Sequence, residues 1–236
     1  MKNILCLALL YLFISCSKDS AAPEPVRKIQ LSYPESEINA TFRTAGGIAP
    51  NIIQWNGDVG FYSITSSTEI LRRDHIVFDS LTGQISWGKN LPLGSYDFTI
   101  TAESGETTET VEILLTNSLI KAFFSGGFEM VDPDVEEIDY SAIPVDYALW
   151  LNEDGTVAME RYSNPAFSAA GNWTTIEGGS ILVDFITNLS GGETTYMRGY
   201  LANSAYLPKF TGDYGSAVNE NQEIEERTGV FRFEWD

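Results

Sequence analysis

Tyr147-Ala148-Leu149-Trp150-Leu151-Asn152-Glu153-Asp154-Gly155-Thr156-Val157-Ala158-Met159-Glu160-Arg161-Tyr162 decides how the second half of this chain folds. Asn152-Glu153-Asp154-Gly155 is a strong hairpin turn, and the runs on either side of it read as antiparallel strands. Working outward, Ser118 to Asp236 keeps the same rhythm. Its eight candidate strands are Leu119–Met130, Tyr147–Leu151, Thr156–Tyr162, Gly171–Ile176, Ser180–Thr187, Thr194–Leu201, Tyr206–Tyr214 and Arg227–Trp235. Glu177-Gly178-Gly179 supplies a second hairpin turn, and Asn188 to Glu193 a further loop. Sequential hairpins without a helical crossover favour a meander. Eight strands can close into a barrel that either fills with side chains or holds one small ligand.

The preceding stretch, residues 26–117, alternates short β-branched and aromatic runs with Gly, Pro, Asn and Asp. Its seven best segments are Lys28–Leu31, Asn51–Trp55, Gly60–Ile64, Ile76–Phe78, Gln84–Trp87, Tyr96–Ala102 and Thr108–Leu115. Tyr96, Phe98, Ile100 and Ala102 share one face, as do Val111, Ile113 and Leu115, the period of half-buried antiparallel strands. This many short strands in so short a span predicts a Greek-key sandwich. Asp79-Ser80-Leu81-Thr82-Gly83 followed by Gly94-Ser95-Tyr96 resembles the cadherin-like and Ig-like modules of bacterial surface proteins. Gly83 permits the turn's backbone angles, Asp79 and Thr82 can bond local amides, and Tyr96 packs between sheets. Calcium is not carried over from that resemblance, because neither Asp-Arg-Glu nor Asp-x-Asn-Asp occurs.

Gly171-Asn172-Trp173 followed by Ile181-Leu182-Val183-Asp184-Phe185 resembles lipocalin-like domains of Bacteroidota lipoproteins. Lipocalins carry Gly-x-Trp on the first barrel strand and stack a late Arg on the Trp. Here the motif sits mid-domain, and Arg232 is the residue available for the Arg's part. The expected fold is therefore all-β, with an Ig-like or cadherin-like β-sandwich over 26–117 and an eight-stranded antiparallel lipocalin-like barrel over 118–236.

The N-terminus carries Lys2, an apolar run from Ile4 to Ile14, then Ser15-Cys16, which is the pattern of a signal peptide over residues 1–15. The run is shorter than the about 20 residues of a membrane-spanning helix. This end resembles a bacterial lipoprotein signal, and the resemblance implies cleavage before Cys16 and acylation of that cysteine. Ser17-Lys18-Asp19 also resembles the export tags of Bacteroidota surface lipoproteins. Residues 16–25, with Pro23 and Pro25, read as an extended tether. The expectation is a lipid anchor in the outer membrane, exposed at the cell surface.

Composition narrows the chemistry. The formal charge is −19, with 20 Asp/Glu against 6 Lys/Arg in residues 118–236, so nucleic acid is excluded as a partner. Cys6 and Cys16 are the only cysteines, so the mature domains lack disulfides, thiolate catalysis and Cys-ligated zinc. His75 is the single histidine and reads as a surface or satisfied structural residue, which leaves no multi-His metal site. No cofactor and no metal is expected. The acidic run Asp132 to Asp139 lacks EF-hand spacing and reads as a solvated loop.

Aromatic residues are the stronger lead. Tyr196, Arg198 and Tyr200 share one strand face and form a candidate ligand wall, with Trp150 and Tyr162 as neighbours; Trp55, Trp87 and Trp173 read as core. Which face of that strand points inward is open at this level. The expected function is non-catalytic binding of a small apolar or glycan ligand. The alternatives are a structural or adhesion protein with a solid barrel and a surface protein partner, and a carboxylate-dependent glycoside hydrolase.

Overall fold

The turn at Asn152 to Gly155 closes because Gly155 takes a positive φ of 81° and Asn152 N–H donates to the Thr156 carbonyl at 2.9 Å. The Asp154 carboxylate accepts from the Thr156 amide at 3.0 Å, which pins the register. The computed structural model describes residues 28–236 except 56, 74, 133, 136, 177–178 and 204–206. Cys16, the signal segment, Ser17-Lys18-Asp19 and the tether lie outside the described residues, as do Glu177, Gly178 and Tyr206.

Among the described residues nine strands precede the barrel: β1 (Gln30–Ser32), β2 (Glu37–Thr41), β3 (Gly46–Ile48), β4 (Ile52–Gln54), β5 (Phe61–Thr65), β6 (Ile76–Phe78), β7 (Ile85–Trp87), β8 (Gly94–Ser104) and β9 (Thr107–Ser118). They form a four-stranded sheet in the order β2-β9-β8-β5, a three-stranded sheet β3-β7-β6 and a pair β1-β4. All three sheets send apolar side chains into one core built on Ile29, Ile85, Phe98, Ile100, Ile113 and Leu115. Two strands were not expected from sequence, β2 and β3, and β2 runs parallel to β9. Asp79 accepts from the amides of Leu81 and Thr82 at 2.8 and 3.3 Å, and Gly83, at φ 72°, turns the chain there.

Eight further strands close into a barrel in chain order: β10 (Ala122–Met130), β11 (Tyr147–Leu151), β12 (Thr156–Arg161), β13 (Asn164–Ile176), β14 (Ser180–Thr187), β15 (Thr194–Ala202), β16 (Lys209–Gly215) and β17 (Arg227–Trp235). Every neighbouring pair is antiparallel, and β17 returns to β10. Among the described residues no helix is long and apolar enough to cross a membrane.

The interior of this barrel is packed with side chains. Phe124, Leu149, Met159, Ile181, Val183, Met197, Phe210, Phe231 and Phe233 are all buried in one cluster. At one end the Phe128 ring sits among Tyr147, Tyr214 and Phe233, with centroids 5.1, 5.2 and 5.5 Å away, each edge-on. Rings of this size fit because inward positions elsewhere are glycine. A Cβ on Gly199 would lie 2.6 Å from Phe231 Cζ and 2.9 Å from Phe210 Cε2. One on Gly171 would lie 1.9 Å from the Asp184 carbonyl, so close is the strand beside it. Small residues against large ones fill the taper of a small barrel and let its strands bend.

Because the Phe124 ring has no surface exposure and neighbours on every side, its removal leaves a cavity that the strands cannot collapse. Phe124→Ala is expected to cost about 3–5 kcal/mol. Urea unfolding followed by tryptophan fluorescence checks this, and a cost below about 1 kcal/mol would mean the interior is loose rather than packed.

Candidate functional site

The two halves of the chain meet at one mouth of the barrel. β9 leads into β10 through Leu119-Ile120-Lys121, and Leu119 is buried in the barrel cluster together with Phe42 and Leu93 from the first half. Phe42 follows β2, donates its amide to the Ser118 carbonyl at 2.9 Å and lies 5.7 Å from the Trp235 ring. These three side chains stopper the mouth, and the burial of their apolar surface holds the halves together.

The strap Leu91-Pro92-Leu93 lies at this junction. Asn117 is in phase with Ile113 and Leu115 on β9, yet it is polar and only 3% exposed. Its amide donates to the carbonyls of Leu91 and Pro92 at 2.9 and 2.8 Å. From the barrel side the Asn203 amide donates to the carbonyls of Lys89 and Leu91 at 2.8 and 2.9 Å. Gly179, at φ 76°, presses against the Leu93 carbonyl, where a Cβ would come within 2.7 Å. Carbonyls of a buried loop need such partners, and here both halves supply them.

Beside this strap opens a cleft of about 700 Å³. Its base is Pro92, Leu93 and Gly94; one wall carries Glu69, Ile70 and His75, another Ser95, Tyr96 and Thr116, and the barrel contributes Thr175, Ile176 and Tyr200. Tyr96 donates its hydroxyl to the Pro92 carbonyl at 2.9 Å. Burial, with a smaller contribution from Tyr200, pushes that hydroxyl up to about 12 from an ordinary 10.0. The lining mixes apolar side chains with many hydroxyls and an amide, and a cleft of this size where a sheet meets the barrel can seat a small ligand.

The alternation of β15 settles which face of that strand is inward. Met197 and Leu201 are buried in the barrel, so Tyr196, Arg198 and Tyr200 point outward. Tyr200 is 48% exposed and lines the cleft. Arg198 pairs with Glu223 at 3.5 Å across a second, smaller groove of about 430 Å³ that Tyr200 also lines. Trp150 stacks on Phe123 with centroids 5.1 Å apart. Tyr162 is exposed and shares a 3.0 Å hydrogen bond with Ser125. β11 and β15 lie four strands apart in a ring of eight, so Trp150 and Tyr162 are on the opposite side of the barrel from Tyr200. The five residues are two separate places, not one wall.

Arg232 does not stack on Trp173. It alternates with the inward Phe231 and Phe233, points outward to Glu234 and the Tyr140 carbonyl, and leaves the Trp173 indole N–H to donate to the Asn152 carbonyl at 2.8 Å. Sequence reading missed Asn117, although a polar residue in the apolar phase of β9 marked it. It took Tyr96 for a core residue, where it also lines the cleft, as does His75. Among the described residues no group of three or more His, Cys, Asp or Glu could hold a metal ion.

No protein-family model and no curated protein matches the chain. Among solved structures, a chimeric titin Z1Z2 functionalized with a KLER peptide from decorin aligns at 11% identity and a TM-score of 0.30, over 39% of this chain and 99% of its own. Domains 5–6 of the S-layer protein SbsC align at 11% identity and a TM-score of 0.28, over 87% and 96%. Likenesses this slight decide neither fold nor activity.

Tyr96 holds its proton more tightly folded than unfolded, so its contribution is fully present below pH 10 and is lost as the pH rises toward 12. Urea unfolding at a series of alkaline pH values is expected to show stability falling across that window. Tyr96→Phe, which forgoes about 1 kcal/mol of hydrogen bonding at neutral pH, is expected to lose less across it. An identical alkaline slope in the variant would remove Tyr96 as a cause.

Proposed function

We propose that this chain is an acyl-anchored lipoprotein of the outer membrane, tethered through Cys16 and exposed at the cell surface, that acts as a non-catalytic binding module for a small apolar or glycan ligand. In this reading residues 26–117 are an Ig-like or cadherin-like spacer and residues 118–236 a lipocalin-like barrel that has kept the architecture without the cavity. The ligand seat is the cleft at the domain junction.

The observation that carries the reading is the contrast between a barrel filled by phenylalanine rings and an open cleft of about 700 Å³ that includes Tyr200. Apolar contact with Ile70, Leu93 and Ile176 would supply affinity there. Hydroxyls on Ser95, Thr116 and Tyr200 would fix orientation. The strongly acidic second half argues against attraction to anionic lipid surfaces, so the acyl chains must supply the membrane attachment.

A second reading, a structural or adhesion protein, is favoured by the solid barrel. Mass spectrometry of the full chain, extracted gently from its membrane, separates the two. Under denaturing conditions the chain is expected to begin at Cys16 and carry acyl mass. Under native conditions it is expected to retain a small noncovalent mass that Tyr200→Ala loses and Tyr162→Ala keeps. A chain that carries no retained mass, or one indifferent to Tyr200→Ala, supports the adhesion reading instead.

A further inference from the structure

The outer face of the barrel carries a row of apolar side chains that neither the interior nor the cleft uses. Cross-strand register sets Phe123 opposite Trp150, Trp150 opposite Ala158, Ala158 opposite Ala170 and Ala170 opposite Ile186. All five alternate with buried residues on their strands and so face outward. Phe123 backs the indole of Trp150 from the β10 side, with an interplanar angle of 25°. On the other side of the indole stand two alanines and then Ile186, which is 46% exposed.

Small residues beside a large one make a trough. Ala158 and Ala170 form its floor, the Trp150 ring one wall and Ile186 the other. Three strand spacings, about 14 Å in all, separate the backbones of the walls, which leaves room for a sugar ring set face to face with the indole. Ala170 is exposed and alternates with the buried Ala169, so its methyl serves no part of the barrel interior.

The rows on either side of the trough say what would occupy it. One presents Thr156, Asn172 and Asp184, with the Asn172 amide 3.3 Å from the Asp184 carboxylate. The other presents Ser125, Glu160 and Ser168. Hydroxyls, an amide and carboxylates bracket an aromatic face, and neither row contains Lys or Arg. A phosphate or an anionic lipid finds no counter-charge here. A neutral sugar finds an aromatic face for its C–H groups and acceptors and donors for its hydroxyls.

We infer that the trough from Trp150 to Ile186 is a binding site for a neutral glycan, with a pyranose ring stacked on the Trp150 indole and its hydroxyls bonded by Asn172, Asp184 and Glu160. The site rests on reading the chain as a binding module but is separate from the cleft, since Tyr200 is four strands from Trp150 and sits opposite Ser180, six residues along β14 from Ile186.

Electrophoresis of the full chain through native gels containing soluble β-glucan, mannan or galactan tests the inference. The wild type is expected to be retarded in at least one gel. Trp150→Ala is expected to weaken that retardation at least about tenfold, a loss of about 1.4 kcal/mol. Ala170→Glu, an exposed position that cannot disturb the core, is expected to abolish it with an unchanged circular dichroism spectrum, so the test survives if the tryptophan variant fails to fold. Tyr200→Ala is expected to leave retardation intact. No retardation in any of the three gels overturns the inference, as does retardation that ignores both trough variants. Retardation lost only with Tyr200→Ala would move glycan binding to the cleft, sinking the trough while leaving the cleft proposal standing. Self-association abolished by Ala170→Glu, without glycan binding, would make the trough an interface between copies of this chain.

Discussion

An eight-stranded barrel has an interior about as wide as two facing side chains, and in this chain that width is taken by rings. Phe124, Phe128, Phe210, Phe231 and Phe233 occupy the axis, and Gly126, Gly171, Gly199 and Gly212 make the space for them by bringing strands closer than a Cβ would allow. Neither set works alone. Glycines without the rings would leave a void, and rings without the glycines would push the strands apart. This mutual fit closes the barrel without a disulfide, since residues 118–236 hold no cysteine, and it fills the interior.

The same constraint reaches the first half of the chain. A barrel filled along its length still has an open mouth, and Phe42, Leu93 and Leu119 cover it. The core therefore does not end at the boundary near residue 118 that composition draws. Once Leu93 is seated, the strap that carries it must have its carbonyls satisfied, which is the task of Asn117 from one side and Asn203 from the other. The cleft beside the strap is a consequence: it is the space left where a sheet and a barrel, joined through a narrow plug, curve away from one another.

The barrel was legible in sequence because its cues are local. Asn152-Glu153-Asp154-Gly155 announces its hairpin, and seven of the eight expected strands overlap their observed spans within a few residues at each end. β13 starts earlier than Gly171 because Asn164-Pro165-Ala166-Phe167-Ser168 has little β-branched content of its own and joins the strand through its pairing with β12. In the first half β2 and β3 were missed for a similar reason. Glu37-Ile38-Asn39-Ala40-Thr41 is short and half polar, Gly46-Gly47-Ile48 is poor in β-formers, and each is a strand only through a partner far away in the chain. The candidate site was legible in its residue types and not in its grouping. Tyr196, Arg198 and Tyr200 share a face by period alone, but whether Trp150 stands beside them depends on how many strands separate them around a closed ring, which no local pattern encodes.

A closed and filled barrel has only its outer surface and its junctions left with which to recognise anything. On an outward face the alternation that builds the core leaves every second residue free to vary, and most such positions here are charged or hydroxylic, as solvent requires. The row from Phe123 to Ile186 departs from that pattern on five adjacent strands and in register, which random variation of solvent-facing positions would not produce often. Stacked aromatic rings held against a solid core also lose little conformational freedom on binding, because Phe123 already fixes the indole. Rigidity bought inside the barrel thus becomes preorganisation outside it, and a filled interior is a sound foundation for a surface site.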